Sequence, residues 1–288
     1  MTVFNSDALV GTEWLAEHLT APDIRVVDGS YYLPHEGLDA RAEYEAHHIP
    51  GAVFFDIDDI ADTSVALPHM IPPPEKFSAR VRKLGLGDGV RIIAYDQRGL
   101  FSAPRVWWTF RLFGHRDVAV LDGGLVKWLA EGRPIEEGPA HPNERHFTAR
   151  TNSLMVRDRT QVLANLESAR EQLVDARSRG RFEAREPEPR PGLRSGHIPG
   201  SRNLPFTELV DRETQTLLPP VQLRERFTAA GIDMKRPVIT SCGSGITAAV
   251  VALALHIAGH KDVSVYDGSW AEWGDPASEL PVATGPAD

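Results

Sequence analysis

Residues 259–274 read GHKDVSVYDGSWAEWG, and residues 114–132 read GHRDVAVLDGGLVKWLAEG, so one pattern occurs twice. Three further pairs of strings repeat in the same order and at nearly the same offset: VVDGS (26–30) with LVDAR (173–177), HHIPGAVFFDI (47–57) with GHIPGSRNLPF (196–206), and RIIAYD (91–96) with PVITSC (237–242). Self-similarity at a fixed offset is the sequence signature of a repeated structural unit. The chain is therefore predicted to contain a duplicated domain.

Each half alternates short β-branched stretches with longer stretches of helical period. The predicted strands are 24–27, 52–55, 90–95 and 118–121 in the first half, and 172–175, 201–204, 238–240 and 263–266 in the second. The predicted helices are 13–19, 75–84, 103–113, 125–131, 222–230 and 246–258. Alternating strands and helices are typical of parallel βαβ units. The predicted fold class is α/β, with two tandem domains that each contain a parallel sheet flanked by helices.

The boundaries of the two domains follow from length and composition. A chain of 288 residues is long enough for two cores. The stretch PIEEGPAHPNERHFTARTNSLMV (134–156) is rich in Pro, Glu and His and has no apolar period, which favours a linker. We predict a first domain over 1–134, a linker over 135–157 and a second domain over 158–288.

The composition argues against several classes of function. The net charge of −9 disfavours general binding to nucleic acid or to an anionic membrane, since both need clustered cations. The single cysteine cannot form an intramolecular disulfide, the N-terminal stretch has no secretory character, and no apolar run approaches the ~20 residues of a membrane span. Paired C-x-x-C and H-E-x-x-H motifs are absent. We expect a cytoplasmic protein that uses no metal or other cofactor.

Cys242 is the only cysteine, and it lies in TSCGSGITAAV (240–250) between a predicted strand and a predicted helix. This places it at the carboxyl end of a parallel sheet, where α/β folds bind ligands. Gly243 and Gly245 permit positive φ, so the amides of the turn and the helix dipole can favour a thiolate. The alternative is a buried thiol that acts as a small apolar side chain. The first repeat has Asp96 at this place, so only the second is predicted to carry a nucleophile.

Several strings together resemble the rhodanese superfamily: HIPG in both halves, FSAPRVWW (101–108), EPEPR (186–190), CGSGIT (242–247) and YDGSWAEW (266–273). The resemblance covers nearly the whole chain and implies two rhodanese-like domains. The CGSGIT loop is similar to that of members that take sulfur from 3-mercaptopyruvate. Gly243, Gly245 and Thr247 are then expected to help bind this substrate. Ile246 stands where those members usually have Val, which is a conservative difference.

The resemblance also implies roles for two arginines in RGRFEAREPEPRPG (179–192). Arg181 and Arg190 match the family's substrate-binding arginines. A guanidinium pairs with a carboxylate through two parallel hydrogen bonds, which suits a substrate that carries one. Arg179 and Arg185, in the same segment, are interpreted as solvated surface charges.

Proton handling is assigned by the same resemblance to Ser244, His69 and Asp58. A histidine oriented by a carboxylate can polarise a serine hydroxyl. From the residues alone, His69 would be a surface histidine, and Asp56 or Asp59 would be as plausible as Asp58. Because His69 and Asp58 fall in the first predicted domain, we expect the active site in a cleft between the domains.

The reaction implied by the resemblance has two stages. Cys242 attacks the sulfur of 3-mercaptopyruvate, pyruvate leaves, and the Cys242 persulfide then passes its sulfur to a thiol or to cyanide. Thioredoxin or a low-molecular-weight thiol is the expected acceptor, and a monomer is adequate. Two alternatives stay open. One is a thiosulfate sulfurtransferase, in which the loop reads CRKG with cations where this chain has CGSG. The other is a persulfide carrier protein, which has no need to bind a small carboxylate.

Overall fold

The computed structural model describes residues 7–287. These residues form two compact units. The first unit contains the described residues up to Thr63, together with Ile71–Asn152 and Val210–Leu217. The second contains Ser64–Met70, Ser153–Leu209 and the described residues from Leu218 onward.

The first unit is built on a parallel five-stranded sheet in the order β1-β5-β4-β2-β3. Its strands are β1 (Leu9–Val10), β2 (Ile24–Asp28), β3 (Val53–Phe54), β4 (Arg91–Tyr95) and β5 (Val118–Leu121). Its helices are α1 (Thr12–His18), α2 (Ala40–Ala46), α3 (Ile57–Ile60), α4 (Pro74–Lys83), α5 (Ala103–Leu112) and α6 (Gly124–Ala130). The strands at the centre of the sheet are apolar and almost fully buried, as expected for a sheet covered on both faces.

The second unit repeats this architecture, with strand order β6-β10-β9-β7-β8 and parallel pairing throughout. Its strands are β6 (Val156–Arg157), β7 (Gln172–Asp175), β8 (Arg202–Asn203), β9 (Val238–Ser241) and β10 (Val263–Tyr266). Its helices are α7 (Arg159–Ser168), α8 (Arg179–Phe182), α9 (Pro220–Ala229), α10 (Ala248–Ile257) and α11 (Ser269–Trp273). The predicted fold class is confirmed.

Each unit also contains one short segment from the other half of the sequence. Residues 64–70 group with the second unit, although the sequence analysis placed them in the first domain, and residues 210–217 group with the first unit. Each segment has a residue other than glycine in the left-handed region, His69 with φ 60° and Gln215 with φ 56°. In the first unit, Gln215 packs so closely on Gly99 that a Cβ at residue 99 would lie 2.5 Å from the Gln215 Cβ.

Helix α10 sets the position of the turn that contains Cys242. Its sequence AAVVALALHI is apolar on every side, and all its residues from Ala248 to His256 are buried. A helix that is apolar all round belongs in a core. Because α10 begins at Ala248 and not at the predicted residue 246, the turn between β9 and α10 spans residues 242–247. We call this turn the cysteine loop.

The two repeats differ in how they stabilise a buried aspartate at the end of a strand. Asp175 ends β7, and its carboxylate accepts hydrogen bonds from the guanidinium of Arg177. Asp28 ends β2 at the equivalent place, and it accepts a hydrogen bond of 2.8 Å from the Ser30 amide. Ser30 stands where the second repeat has Arg177. Burial without a paired cation raises the pKa of Asp28 to about 6.

Asp28→Asn is expected to stabilise the protein at high pH. A raised carboxyl pKa contributes stability that is complete below the unfolded value of 3.8 and is lost as the pH rises through about 6. The ionised Asp28 therefore costs on the order of 2–3 kcal/mol at about pH 8. Asparagine stays neutral and keeps an oxygen for the Ser30 amide. Urea unfolding should show the full gain near pH 8 and only about 1 kcal/mol of it near pH 4.5, where the carboxyl of the unfolded chain is still mostly ionised. An equal effect at both pH values would contradict this explanation.

Candidate active site

The cysteine loop folds around the sulfur of Cys242. The Gly245 amide donates a hydrogen bond of 3.1 Å to Sγ. Gly245 has φ 81°, a left-handed conformation that strains any other residue. Gly243 does not have a positive φ. Its lack of a side chain matters for space, as described below.

The backbone of Cys242 is held by the start of α11. Its amide donates to the Ser269 Oγ at 3.3 Å, and its carbonyl accepts from the Trp270 amide at 3.0 Å. Ser269 has φ 50°, and its hydroxyl also donates to the Tyr266 carbonyl at 2.8 Å. A left-handed residue other than glycine costs roughly 1–2 kcal/mol. This conformation places the Ser269 hydroxyl against the nucleophile's own peptide.

Cys242 is almost fully enclosed. Only 2% of the residue is exposed. The Gly245 amide contacts Sγ, and Gly245 and Ile246 are themselves buried. The reactivity of the thiol therefore depends on the groups of the loop and not on bulk water.

The equivalent loop of the first unit shows how this turn binds an anion. The Asp96 carboxylate accepts a hydrogen bond of 2.9 Å from the Arg98 amide through Oδ1. Its Oδ2 accepts three more, from the amides of Phe101, Ser102 and Ala103 at 2.9, 2.9 and 2.8 Å. A strand, a turn and a helix in this arrangement thus direct several N–H groups at one negative group.

Two guanidinium groups lie above Gly243. A Cβ at residue 243 would be 3.0 Å from Nη2 of Arg181 and 3.9 Å from Nη1 of Arg190. The missing side chain of Gly243 therefore lets both arginines approach the loop. Within residues 7–287, no hydrogen bond or ion pair engages the Arg190 guanidinium. Its charge is available to an anion that binds there.

The side chains of Ser244 and His69 lie next to each other, as the resemblance predicted. His69 Nδ1 and Ser244 Oγ share a hydrogen bond of 2.9 Å, and both residues are buried. His69 belongs to the segment 64–70, which is part of the second unit. Its burial and its bond to Ser244 overturn the interpretation of a surface histidine that the residues alone favoured. Thr247 precedes α10 as its N-cap residue.

The three aspartates considered as partners of His69 lie in or next to α3 of the first unit. Asp56 is the N-cap residue of α3, and its side chain accepts from the amides of Asp58 and Asp59. Asp59 also forms an ion pair with Arg80 at 2.8 Å. Asp58 is exposed. The role of Asp58 stays a prediction.

The other two arginines of the segment 179–192 lie at the surface. The side chain of Arg179 is 60% exposed and 3.5 Å from Glu208. The side chain of Arg185 is 64% exposed and bonds to Glu183 at 2.6 Å. Exposed pairs of this kind contribute little to stability, about 0–1 kcal/mol.

The sequence analysis missed two residues that shape the site, Ser269 and Glu188. Ser269 had a signal, because the repeat reads DGS in the second half and DGG in the first. Glu188 lay inside the EPEPR string, but nothing in its spacing singled it out. Within the part of the chain that the structure describes, no group of three or more His, Cys, Asp and Glu residues could hold a metal ion. No helix among these residues is long and apolar enough to cross a membrane.

Comparison with known proteins shows the family to which the chain belongs. Both halves match the model of the rhodanese-like domain, over residues 11–131 and 158–275. Human 3-mercaptopyruvate sulfurtransferase is 44% identical over 272 residues, which cover 92% of this chain and 91% of the human protein. Mouse thiosulfate sulfurtransferase is also 44% identical, over 273 residues that cover 92% and 91% of the two chains.

A solved structure shows the same likeness. SseA from Escherichia coli, described with the rhodanese fold of 3-mercaptopyruvate sulfotransferases, aligns with a TM-score of 0.84 at 42% identity and covers 91% of this chain and 98% of its own. The chain is thus similar to proteins named for either of two sulfur donors. The residues around the thiol, and not the overall identity, must decide between those donors.

Proposed function

This chain belongs to the rhodanese-like family and is a sulfurtransferase, and from that premise we propose that it transfers sulfur from 3-mercaptopyruvate through a persulfide on Cys242. The thiolate attacks the sulfur of the donor, an S–S bond forms, and the C–S bond breaks. The electron pair of that bond leaves on carbon as the enolate of pyruvate, which takes up a proton. An acceptor thiolate then attacks the outer sulfur and regenerates the Cys242 thiolate.

The position of the two arginines carries the choice of donor. Arg181 and Arg190 lie above Gly243, which is one residue from the nucleophile. Their guanidinium nitrogens are 3.0 and 3.9 Å from the place that a Cβ would occupy at residue 243. A carboxylate accepts parallel hydrogen bonds from such groups. Gly243 and Ser244 add no cation inside the loop, so the loop suits the compact dianion thiosulfate less well. These contacts favour a donor with a carboxylate, such as 3-mercaptopyruvate.

The first repeat supports a persulfide intermediate on the cysteine loop. In a cysteine persulfide the outer sulfur is two bonds from Cβ, the same number as Oδ of an aspartate. Asp96 Oδ2 accepts three backbone amides at that distance in the equivalent loop. An outer sulfur on Cys242 can reach the corresponding amides at the start of α10, where they would stabilise its negative charge.

Ser244 and His69 are proposed to handle the proton. Their hydrogen bond of 2.9 Å gives a path from the substrate side of the loop to an imidazole, which can take up or release a proton near neutral pH. We include Asp58 as the carboxylate that orients His69. We also propose thioredoxin or a small thiol as the acceptor, a monomeric state and a cytoplasmic location, all of which rest on the sequence.

The donor preference can be measured directly. The value of kcat/KM is expected to be at least about tenfold higher with 3-mercaptopyruvate than with thiosulfate, since one oriented charge-assisted contact contributes about 1.5–3 kcal/mol. Gly243→Ala should narrow this preference, because its Cβ would lie 3.0 Å from Nη2 of Arg181. Higher kcat/KM with thiosulfate in the wild-type protein would make the donor assignment wrong.

A further inference from the structure

Glu188 lies against the guanidinium of Arg181, and its side chain is only 3% exposed. Arg181 donates from Nε to Oε1 at 3.2 Å and from Nη2 to Oε2 at 2.6 Å. Two parallel bonds between a guanidinium and a carboxylate fix the plane of the guanidinium as well as its position. The contact therefore determines which N–H groups of Arg181 face Gly243.

Glu188 is itself held from the opposite side. Arg177 donates from Nη1 to Oε1 of Glu188 at 2.7 Å, and the Arg177 side chain is fully buried. Arg177 is fixed in turn by Asp175 at the end of β7, by the Gly196 carbonyl at 2.8 Å, and by the ring of Trp270 at 4.3 Å. We call the connected side chains the ion network: Asp175, Arg177, Glu188 and Arg181. It extends from the end of a central strand to the cysteine loop.

Charge and orientation predict opposite effects of Glu188 on anion binding. Two carboxylates and two guanidiniums give the ion network a formal charge of zero. If Coulomb attraction alone mattered, Glu188 would weaken the binding of an anion by Arg181, since a carboxylate at 2.6 Å offsets the arginine's charge. If orientation matters more, loss of Glu188 would weaken that binding, because the guanidinium would no longer face the loop. The sign of the effect separates these cases.

We propose that Glu188 is a positioning residue that holds the Arg181 guanidinium toward Gly243, so that the outer N–H groups of Arg181 receive the carboxylate of the sulfur donor. The identity of that donor rests on the proposed function. The orientation of Arg181 by Glu188 does not, because it follows from the contacts of the ion network. Glu188 acts through Arg181 and does not touch the reacting sulfur.

Glu188→Gln tests this proposal with two alkylating reagents. Iodoacetate carries a carboxylate, and iodoacetamide is its neutral analogue of similar size. Because Cys242 is the only cysteine, both reagents report on its thiol. The ratio of the iodoacetate rate to the iodoacetamide rate measures how well a carboxylate binds beside the thiol. A change in access to the thiol alters both rates and leaves their ratio the same. We expect this ratio to fall about tenfold. The KM for 3-mercaptopyruvate should rise about tenfold, with a smaller change in kcat.

Two further variants control for charge and for folding. Glu183→Gln makes the same charge change in the same segment, but its partner is the exposed Arg185, so the ratio and KM should stay at the wild-type values. Arg181→Lys keeps the cation and leaves the bond between Arg177 and Glu188 in place. It loses the two-bond contact with Glu188, so its ratio should fall even if Glu188→Gln folds poorly.

Several results would overturn the proposal. The proposal is wrong if folded Glu188→Gln has an alkylation ratio and a KM within about twofold of wild type. It is also wrong if the alkylation ratio rises. A wild-type thiol that neither reagent alkylates would overturn it as well, because Arg181 would then not face an accessible nucleophile. Failure of the wild-type protein to form a persulfide from 3-mercaptopyruvate would instead refute the proposed function, and the alkylation ratio would still test Glu188.

Discussion

Cys242→Ser is expected to lose sulfur transfer from 3-mercaptopyruvate by at least about a thousandfold, because a hydroxyl at neutral pH supplies almost no anion to attack sulfur. The hydroxyl is close in size to the thiol and can accept the Gly245 hydrogen bond that Sγ now accepts. The loop should therefore keep its fold. Stability within about 1 kcal/mol of wild type would show that the loss is chemical.

Intact-mass spectrometry after brief exposure to 3-mercaptopyruvate is the direct measurement. The wild-type protein should gain one sulfur atom, and the chain has a single cysteine to carry it. Cys242→Ser should gain none, and addition of a thiol reductant should remove the adduct from the wild-type protein. An adduct of one sulfur on the serine variant would place the nucleophile elsewhere and refute the mechanism.

The double variant Arg181→Ala/Arg190→Ala is expected to lower kcat/KM for 3-mercaptopyruvate by about a hundredfold or more. Each guanidinium contributes charge-assisted hydrogen bonds worth about 1.5–3 kcal/mol. Release of pyruvate under steady-state conditions measures this loss. The matched control is Arg179→Ala/Arg185→Ala, which removes the same charge from the same segment but at exposed positions. Its activity should stay within about twofold of wild type.

The same variant distinguishes the enzyme from a persulfide carrier. In the proposed function the arginines bind the donor's carboxylate, and transfer of sulfur from a Cys242 persulfide to an acceptor thiol does not need them. Protein loaded with polysulfide should therefore pass its sulfur to a thiol at the same rate with or without the two arginines. Unchanged pyruvate release in the double variant would favour the carrier, because a carrier does not need to bind a small carboxylate.

Much of the fold could be predicted because the chain contains two copies of one pattern. All eight predicted strands are present, with ends that shift by at most one residue. Strands β1 and β6 were missed because each has only two residues, which is too short to show a period, and neither lies in the repeated strings that located the equally short β3 and β8. Strand β6 also takes up the last two residues of the predicted linker. Helices α2, α3, α7, α8 and α11 were missed as well. Four of these have seven or fewer residues and the fifth, α7, has a weak apolar pattern, so caps such as Asp39 and Asp158 marked them better than periodicity did.

The site was less predictable, because its contacts join residues that are distant in sequence. The hydrogen bond between His69 and Ser244 spans 175 positions, and only the resemblance to a known family suggested that they work together. The sequence indicates that Gly243 can adopt a positive φ, but it does not show that two guanidiniums occupy the space of its missing side chain. Ser269 and Glu188 act through bonds to groups far along the chain, so local patterns carried little information about them.

The placement of residues 64–70 in the second unit limits how this protein can be divided. A fragment that begins at Ser153 would keep the thiol, both arginines and the whole second sheet, but it would lack the imidazole that bonds to Ser244. Separation of the two halves of the sequence would therefore remove a residue that the proposed proton path requires. Each half supplies the other unit with a short peptide, so the two repeats are not interchangeable modules.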